Sequence, residues 1–318
     1  TGIGQILFTV FIGFFVGIGL GFNWINSLYI ATAVSFSSTI IIMKILSDKG
    51  DSSTLYGKIA IGFLIVQDLV AIIILLAVSS LSKAGNFSSF AIGKFGVGLG
   101  SIIALVFVSI YLLPHIMKMV AKNQELLFLF SIGWAFALGS LFDFTGFSME
   151  IGALLAGISL SISPYRYEIG SRMKPLRDFF LLLFFILLGS QLSFSSLEGM
   201  YLPVILFSLL IFIGNPLSVM FLMGRIGYTK RNAFLAGLTV SQISEFSFIL
   251  IALGIKLGHL SSNISSLMTL IGLITMGGSA YLVMYGNSLY HVFAPYLNIF
   301  ERKGSKKDDG KFYRGEDF

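Results

Sequence analysis

Long apolar runs alternate with short polar ones along this chain, and the apolar runs have the length needed to cross a bilayer. A transmembrane helix needs about 17–25 mostly apolar residues. Ten such segments are predicted, near residues 3–21, 27–46, 57–80, 89–113, 126–142, 148–163, 178–194, 202–224, 232–254 and 263–286. The expected fold is therefore all-α, a polytopic membrane helix bundle of about ten spans. Residues 1–292 would form the membrane domain and 293–318 a short polar cytoplasmic tail.

Polar residues inside those runs carry the functional information. Asp68, preceded by Gln67, lies near the middle of an otherwise apolar run from Ile59 to Val78. An acid at that depth costs at least about 2.5–3.5 kcal/mol to insert, and ionisable groups there usually mark ion pathways or proton relays. Two other spans carry hydroxyl clusters: Ser37, Ser38 and Thr39 in the second, and Ser241, Gln242, Ser244 and Glu245 in the ninth. Such clusters can satisfy backbone groups where a membrane helix unwinds, and unwound helices at mid-membrane are a common way to build an ion site. Spans two and nine are separated by an odd number, so they run in opposite directions. Spans 1–3 and 8–10 would then form two inverted three-helix repeats.

Composition narrows the function classes. Hydrophobic residues make up 56% and charged residues 11%, against about 25% charged in soluble domains. The net charge of +6 is spread over short loops rather than one patch, so no nucleic-acid partner is expected. With the loop after the second span on the cytoplasmic side, 18 of the 21 Lys and Arg residues fall on that side, leaving Lys83, Lys94 and Lys256 opposite. This asymmetry follows the positive-inside rule and puts both ends of a multi-pass plasma (inner) membrane protein in the cytoplasm. With no cysteine, there is no thiolate chemistry, and no cofactor is expected. The chain begins at Thr1 without a basic leader, which suggests a fragment or processed form rather than a signal peptide.

The order Ser37-Ser38-Thr39, Gln67-Asp68, Met149-Glu-Ile-Gly-Ala-Leu-Leu-Ala-Gly157, Phe184-Phe-Ile-Leu-Leu-Gly189 and Gln242-Ile-Ser244-Glu245-Phe246 resembles the monovalent cation:proton antiporters, especially the Kef-type potassium/proton branch. The resemblance covers nearly the whole chain. It implies a core of inverted repeats with crossed, broken helices, and a dimerisation panel whose first three helices would precede Thr1, so that the full-length form would be a homodimer. It also implies that Asp68 binds cation and proton alternately, with Gln67 as its polar neighbour and the crossing-helix breaks at Ser37–Thr39 and Ser241–Glu245. Where many relatives carry an embedded lysine or arginine, the matching position here is Asn215. Asparagine carries no proton, which leaves Asp68 as the only obligatory carrier and favours one-for-one exchange.

The expected function is thus exchange of a monovalent cation, potassium rather than sodium, for protons by alternating access. Burial disfavours an ionised carboxylate and a bound cation favours it, so the two occupants of Asp68 compete. A cation channel and a sodium-coupled organic-anion symporter are the nearest alternatives. An intramembrane aspartyl protease would need two facing aspartates, and the spans hold one at mid-depth.

Overall fold

In the computed structural model, residues 1–81, 89–145, 149–190 and 199–300 are described. Lys83 and residues 301–318, the larger part of the expected tail, lie outside them, as do the first residue of the span expected at 148–163 and the last residues of that expected at 178–194. Every regular element among the described residues is helical. In chain order they are α1 (Gly2–Gly19), α2 (Trp24–Ser35), α3 (Thr39–Asp48), α4 (Leu55–Leu81), α5 (Ser89–Tyr111), α6 (Leu113–Val120), α7 (Gln124–Phe144), α8 (Met149–Ser161), α9 (Arg166–Ser190), α10 (Tyr201–Leu209), α11 (Asn215–Ile226), α12 (Lys230–Leu238), α13 (Glu245–Lys256), α14 (Ser262–Met284) and α15 (Gly286–Phe293). The protein is a polytopic membrane helix bundle.

Six helical stretches among the described residues are long and apolar enough to cross a membrane, and seven when the pair Ile103–Tyr111 and Leu113–Val120, bent by 47°, counts as one span. The expected ten are not all reached by this measure, for local reasons. Helix α8 has only 13 residues, and the first half of α9 carries Arg166, Glu168, Arg172, Lys174, Arg177 and Asp178. The expected ninth span is divided between α12, with 9 residues, and α13, with 12. At 1.5 Å per residue those halves are about 14 and about 18 Å long, each too short alone for a hydrocarbon layer of about 30 Å.

The chain folds as two compact units, residues 1–71 with 191–318, and residues 72–190. In the first, α1 packs on α2 along a seam of small residues. A Cβ on Gly13 would lie 3.2 Å from Ala31 Cα, and one on Gly17 would lie 2.8 Å from Ser27 Oγ and 3.1 Å from Ser27 Cα. Gly13 and Gly17 are one turn apart, as are Ser27 and Ala31, so the two backbones approach closely without the drive of water exclusion. The opposite stripe of α1, Ile3, Leu7, Phe11, Phe15 and Ile18, is exposed, as suits a helix in an apolar medium. The buried core gathers Ile42 and Leu46 of α3, Tyr56, Phe63 and Leu64 of α4, Met220 and Met223 of α11, and Phe234, Leu235 and Leu238 of α12. Helix α11 ends at Gly227, whose φ of 96° permits the bond from Tyr228 N back to Met223 O, a closure that favours glycine.

The second unit is built on the α7–α8 pair. A Cβ on Gly152 would stand 2.3 Å from Leu138 O, so the two backbones touch. Trp134 Nε1 donates to Ser159 Oγ at 2.8 Å across that pair. Leu113, Met117, Leu127, Leu160 and Ile169 close its core, and Arg172 reaches Gln124 at the polar end.

The small-residue seam gives a direct stability test. Gly17→Val is expected to destabilise the detergent-solubilised protein by about 1–3 kcal/mol through overpacking, lowering its thermal midpoint. Gly19→Ala, where an added Cβ meets nothing within 4 Å, should leave the midpoint unchanged.

Candidate functional site

The site begins where two membrane helices stop and restart. Between α2 and α3 the chain turns extended at Phe36 (φ −87°, ψ 145°) and Ser38 (φ −69°, ψ 116°). Ser38 then caps α3, its Oγ accepting from Ile41 N at 3.4 Å. Between α12 and α13 residues 239–244 leave the helix. Ser244 caps α13, its Oγ accepting from Phe246 N, while Ser247 Oγ accepts from Ser244 N at 3.1 Å. Serine competes with the helical backbone for hydrogen bonds, which is why it favours the first residues of a helix over its interior.

Four hydrogen bonds hold the two interrupted segments against one another. Ser37 Oγ donates to Val240 O at 3.2 Å, Gln242 Nε2 to Ser38 O at 3.2 Å, Ser38 Oγ to Glu245 Oε1 at 2.7 Å, and Ser247 Oγ to Ala33 O at 2.5 Å. Glu245 also accepts from Ser244 Oγ at 3.2 Å. Each capping serine thus accepts a helix N–H and donates to the same carboxylate. The Glu245 carboxyl group therefore joins the amino ends of α3 and α13, the ends at which helix dipoles are positive. Gln242 Oε1 in turn accepts from Ser279 Oγ of α14 at 2.6 Å. Ser241 is fully buried and its hydroxyl meets no protein partner.

Asp68 lies on α4, half-buried, with Oδ2 accepting from Thr39 Oγ1 at 2.8 Å. That is its sole hydrogen bond among the described residues, and no cationic side chain there pairs with it. Oδ1 meets no donor among the described residues. Gln67 points elsewhere: it is 1% exposed, its Oε1 accepts from Ser37 N at 3.1 Å, and its Nε2 donates to Gln5 Oε1 at 2.6 Å. Asp68 is thus bonded at Thr39 alone among the described residues, whereas both ends of the Gln67 amide are engaged at the first break. No cluster of three or more His, Cys, Asp or Glu side chains suited to a metal occurs among the described residues; the carboxylate nearest in the network is Glu245, bonded to Ser38, next to the Thr39 that bonds Asp68.

The carboxyl ends of the half-helices are satisfied by neutral groups. The last four carbonyls of α2 each receive a side-chain donor: Thr32 O from Ser35 Oγ at 2.7 Å, Ala33 O from Ser247 Oγ, Val34 O from Asn215 Nδ2 at 3.5 Å, and Ser35 O from Gln5 Nε2 at 3.3 Å. Asn215 Nδ2 also donates to Val240 O at 3.2 Å, while its Oδ1 accepts from Thr9 Oγ1 at 2.6 Å. A single buried amide therefore ties both interruptions to α1. It is aimed there by the wider π-helical turn at Leu210–Gly214, immediately before it.

The expected site residues Ser37, Ser38, Thr39, Gln67, Asp68, Asn215, Ser241, Gln242, Ser244 and Glu245 all fall in the first unit. Apart from Ser241, whose hydroxyl has no partner among the described residues, and Asn215, which joins through a shared carbonyl, each is linked to another of them by a hydrogen bond. In the link from Ser37 to Asn215 the shared atom is the carbonyl of Val240. Gln5 and Thr9 were not anticipated. Their signal is a polar pair four residues apart in an apolar run, hence on one helix face, with Gln5 Nε2 donating to Thr9 Oγ1 at 3.1 Å.

Comparison with known proteins follows this geometry. Residues 1–283 match the family described as sodium/hydrogen exchanger, transmembrane. The chain is 30% identical over 273 residues to YbaL of Escherichia coli (strain K12), whose name marks it as a proposed cation/proton antiporter, covering 81% of this chain and 48% of that protein. It is 27% identical over 272 residues to K(+) efflux antiporter 1, chloroplastic, of Arabidopsis thaliana, covering 82% of this chain and 23% of the relative. Over 280 residues it is 28% identical to the glutathione-regulated potassium-efflux system protein KefC of Escherichia coli O17:K52:H18 (strain UMN026 / ExPEC), covering 85% and 44% respectively. The chain spans less than half the length of each of these relatives. With its interrupted helices joined at their breaks and the Asp68 carboxylate beside them, it belongs to the sodium/hydrogen exchanger transmembrane family, a family of transporters rather than enzymes.

Proposed function

We propose that this chain exchanges a monovalent cation for protons by alternating access, with both ions competing for Asp68. The observation that carries the reading is the Asp68 carboxylate, half-buried, with one hydroxyl donor and no cationic partner among the described residues, beside the junction of two interrupted helices. A proton or a monovalent cation neutralises that carboxylate, and the reoriented form is the neutral one. Thr39 Oγ1 and nearby neutral oxygens replace part of the cation's hydration, as hard cations require. Gln67 serves the site through Ser37, whose amide it holds. Potassium is the favoured cargo, supported by the Gln67–Asp68 pair and by the names of the potassium-efflux relatives.

In this reading the membrane domain is residues 1–292, with ten spans that include the half-helix pairs α2–α3 and α12–α13. Spans 1–3 and 8–10 form two inverted repeats that cross at their breaks, and residues 293–318 form a cytoplasmic tail. Both ends face the cytoplasm of a plasma (inner) membrane, and the full-length form is a homodimer in the lipid bilayer. Asn215 cannot titrate, so one proton exchanges for one cation and no net charge moves.

Three outcomes follow for the full chain in everted vesicles holding an imposed pH gradient. Added potassium should collapse the gradient in the wild type, and Asp68→Asn should abolish that response; equal responses would reject Asp68 as the site. Because protons exclude the cation, acidification should raise the potassium concentration for half-maximal response, approaching about tenfold per pH unit once the site is mostly protonated. A half-maximal concentration independent of pH would mean separate sites. Collapsing the membrane potential with a permeant anion should leave the exchange rate unchanged, whereas a dependence on potential would reject one-for-one exchange.

A further inference from the structure

The hydrogen bonds around the first break form a directed chain. Ser37 N–H donates to Gln67 Oε1, Gln67 Nε2 to Gln5 Oε1, Gln5 Nε2 to Thr9 Oγ1, Thr9 Oγ1 to Asn215 Oδ1, and Asn215 Nδ2 to Val240 O. It starts at a backbone amide of the first interruption and ends at a backbone carbonyl of the second, crossing α4, α1 and α11 without meeting a titratable group. Each link fixes the orientation of the next, because a reversed amide would face donor to donor. Chains of this kind polarise their members cooperatively.

Gln5 is the hub. It is 1% exposed and also donates to Ser35 O at 3.3 Å. Ser35 and Ser37 flank the break, so Gln5 and Gln67 together bridge it: Ser35 C=O to Gln5, Gln5 to Gln67, Gln67 to Ser37 N–H. They occupy the gap that helical main-chain bonds would fill. Asp68 follows Gln67 directly and Thr39 lies two residues after Ser37, so the bridge sets the separation between Asp68 and Thr39, its hydroxyl donor.

We infer that Gln5 is a positioning residue for cation binding: through Gln67 and Ser35 it holds the first break so that Thr39 stays within reach of Asp68. This rests on the exchange reading of Asp68. Gln5 touches neither ion, so its removal weakens cation binding while leaving the reorientation step in place. Outer partners of metal ligands typically change affinity by about 10–100-fold, and an effect near the lower end is expected here.

The test uses the full chain in the vesicle assay, with Gln5→Met, Gln67→Met and the double variant. Gln5→Met should raise the half-maximal potassium concentration about tenfold with the maximal rate little changed. The double variant should be no worse than the more severe single one, the non-additivity expected of residues in one network. Gln5→Glu keeps the shape and the acceptor but can retain at most one of the two donated bonds, and it serves if the apolar variant does not fold. Hydrogen–deuterium exchange across residues 36–39 gives a readout independent of transport, with faster exchange of the Ser37 amide expected in each Gln5 variant. An unchanged half-maximal concentration with unchanged Ser37 protection would overturn the inference. So would a fall in maximal rate at constant half-maximal concentration. A wild type silent to potassium and sodium would overturn the exchange reading itself, and Ser37 exchange would then still decide whether Gln5 holds the break.

Discussion

A polypeptide in hydrocarbon has no water to satisfy its backbone, and each unsatisfied peptide group there costs several kcal/mol. This constraint governs the whole site. Breaking two helices inside the membrane domain exposes two carboxyl ends and two amino ends, and the groups they expose are met by side chains of the broken segments themselves and of neighbouring helices. The last four carbonyls of α2 are met by donors from α2 itself, α13, α11 and α1. The interruptions are therefore the points at which the first unit is tied together.

The division of labour among the half-helix ends is electrostatic. The amino ends, bearing partial positive charge, converge on Glu245 through Ser38 and Ser244. The carboxyl ends, bearing partial negative charge, converge on donors that carry no charge, chiefly the amides of Asn215 and Gln5. Asp68 lies beside the same junction, held by the hydroxyl of Thr39, the first residue of α3. The two carboxylates differ in their surroundings: Glu245 accepts from two capping serines, whereas Asp68 accepts a single hydrogen bond among the described residues.

How much of this was legible depends on residue type. Asp68 and the hydroxyl clusters stand out because polar groups in an apolar run are costly, and the serines fall where helices restart because serine caps helices. Gln67 was legible as a site residue but not as a brace, since its partner Gln5 is 62 positions away in sequence. Gln5 and Thr9 were hidden by ambiguity: one glutamine and one threonine in a membrane helix are unremarkable until another helix is seen to need them. The span count was harder to read, because the halves α12 and α13 and the short α8 fall below the length that marks a membrane-crossing segment, whereas α2 and α3 together reach it.

The wide turn at Leu210–Gly214 has a bearing on how this stretch can change. A turn of this kind accommodates one residue more than an α-helical turn and is common at functional sites. Loss of that extra residue would restore ordinary winding and leave α10 and α11 nearly in phase, so Asn215 would still face the carbonyls of Val34 and Val240. A residue lost from a regular α-helical turn has no such slack and rotates everything beyond it by about 100° around the helix axis. The wide turn is therefore the place in this stretch where a change of length is absorbed instead of being passed on to the junction.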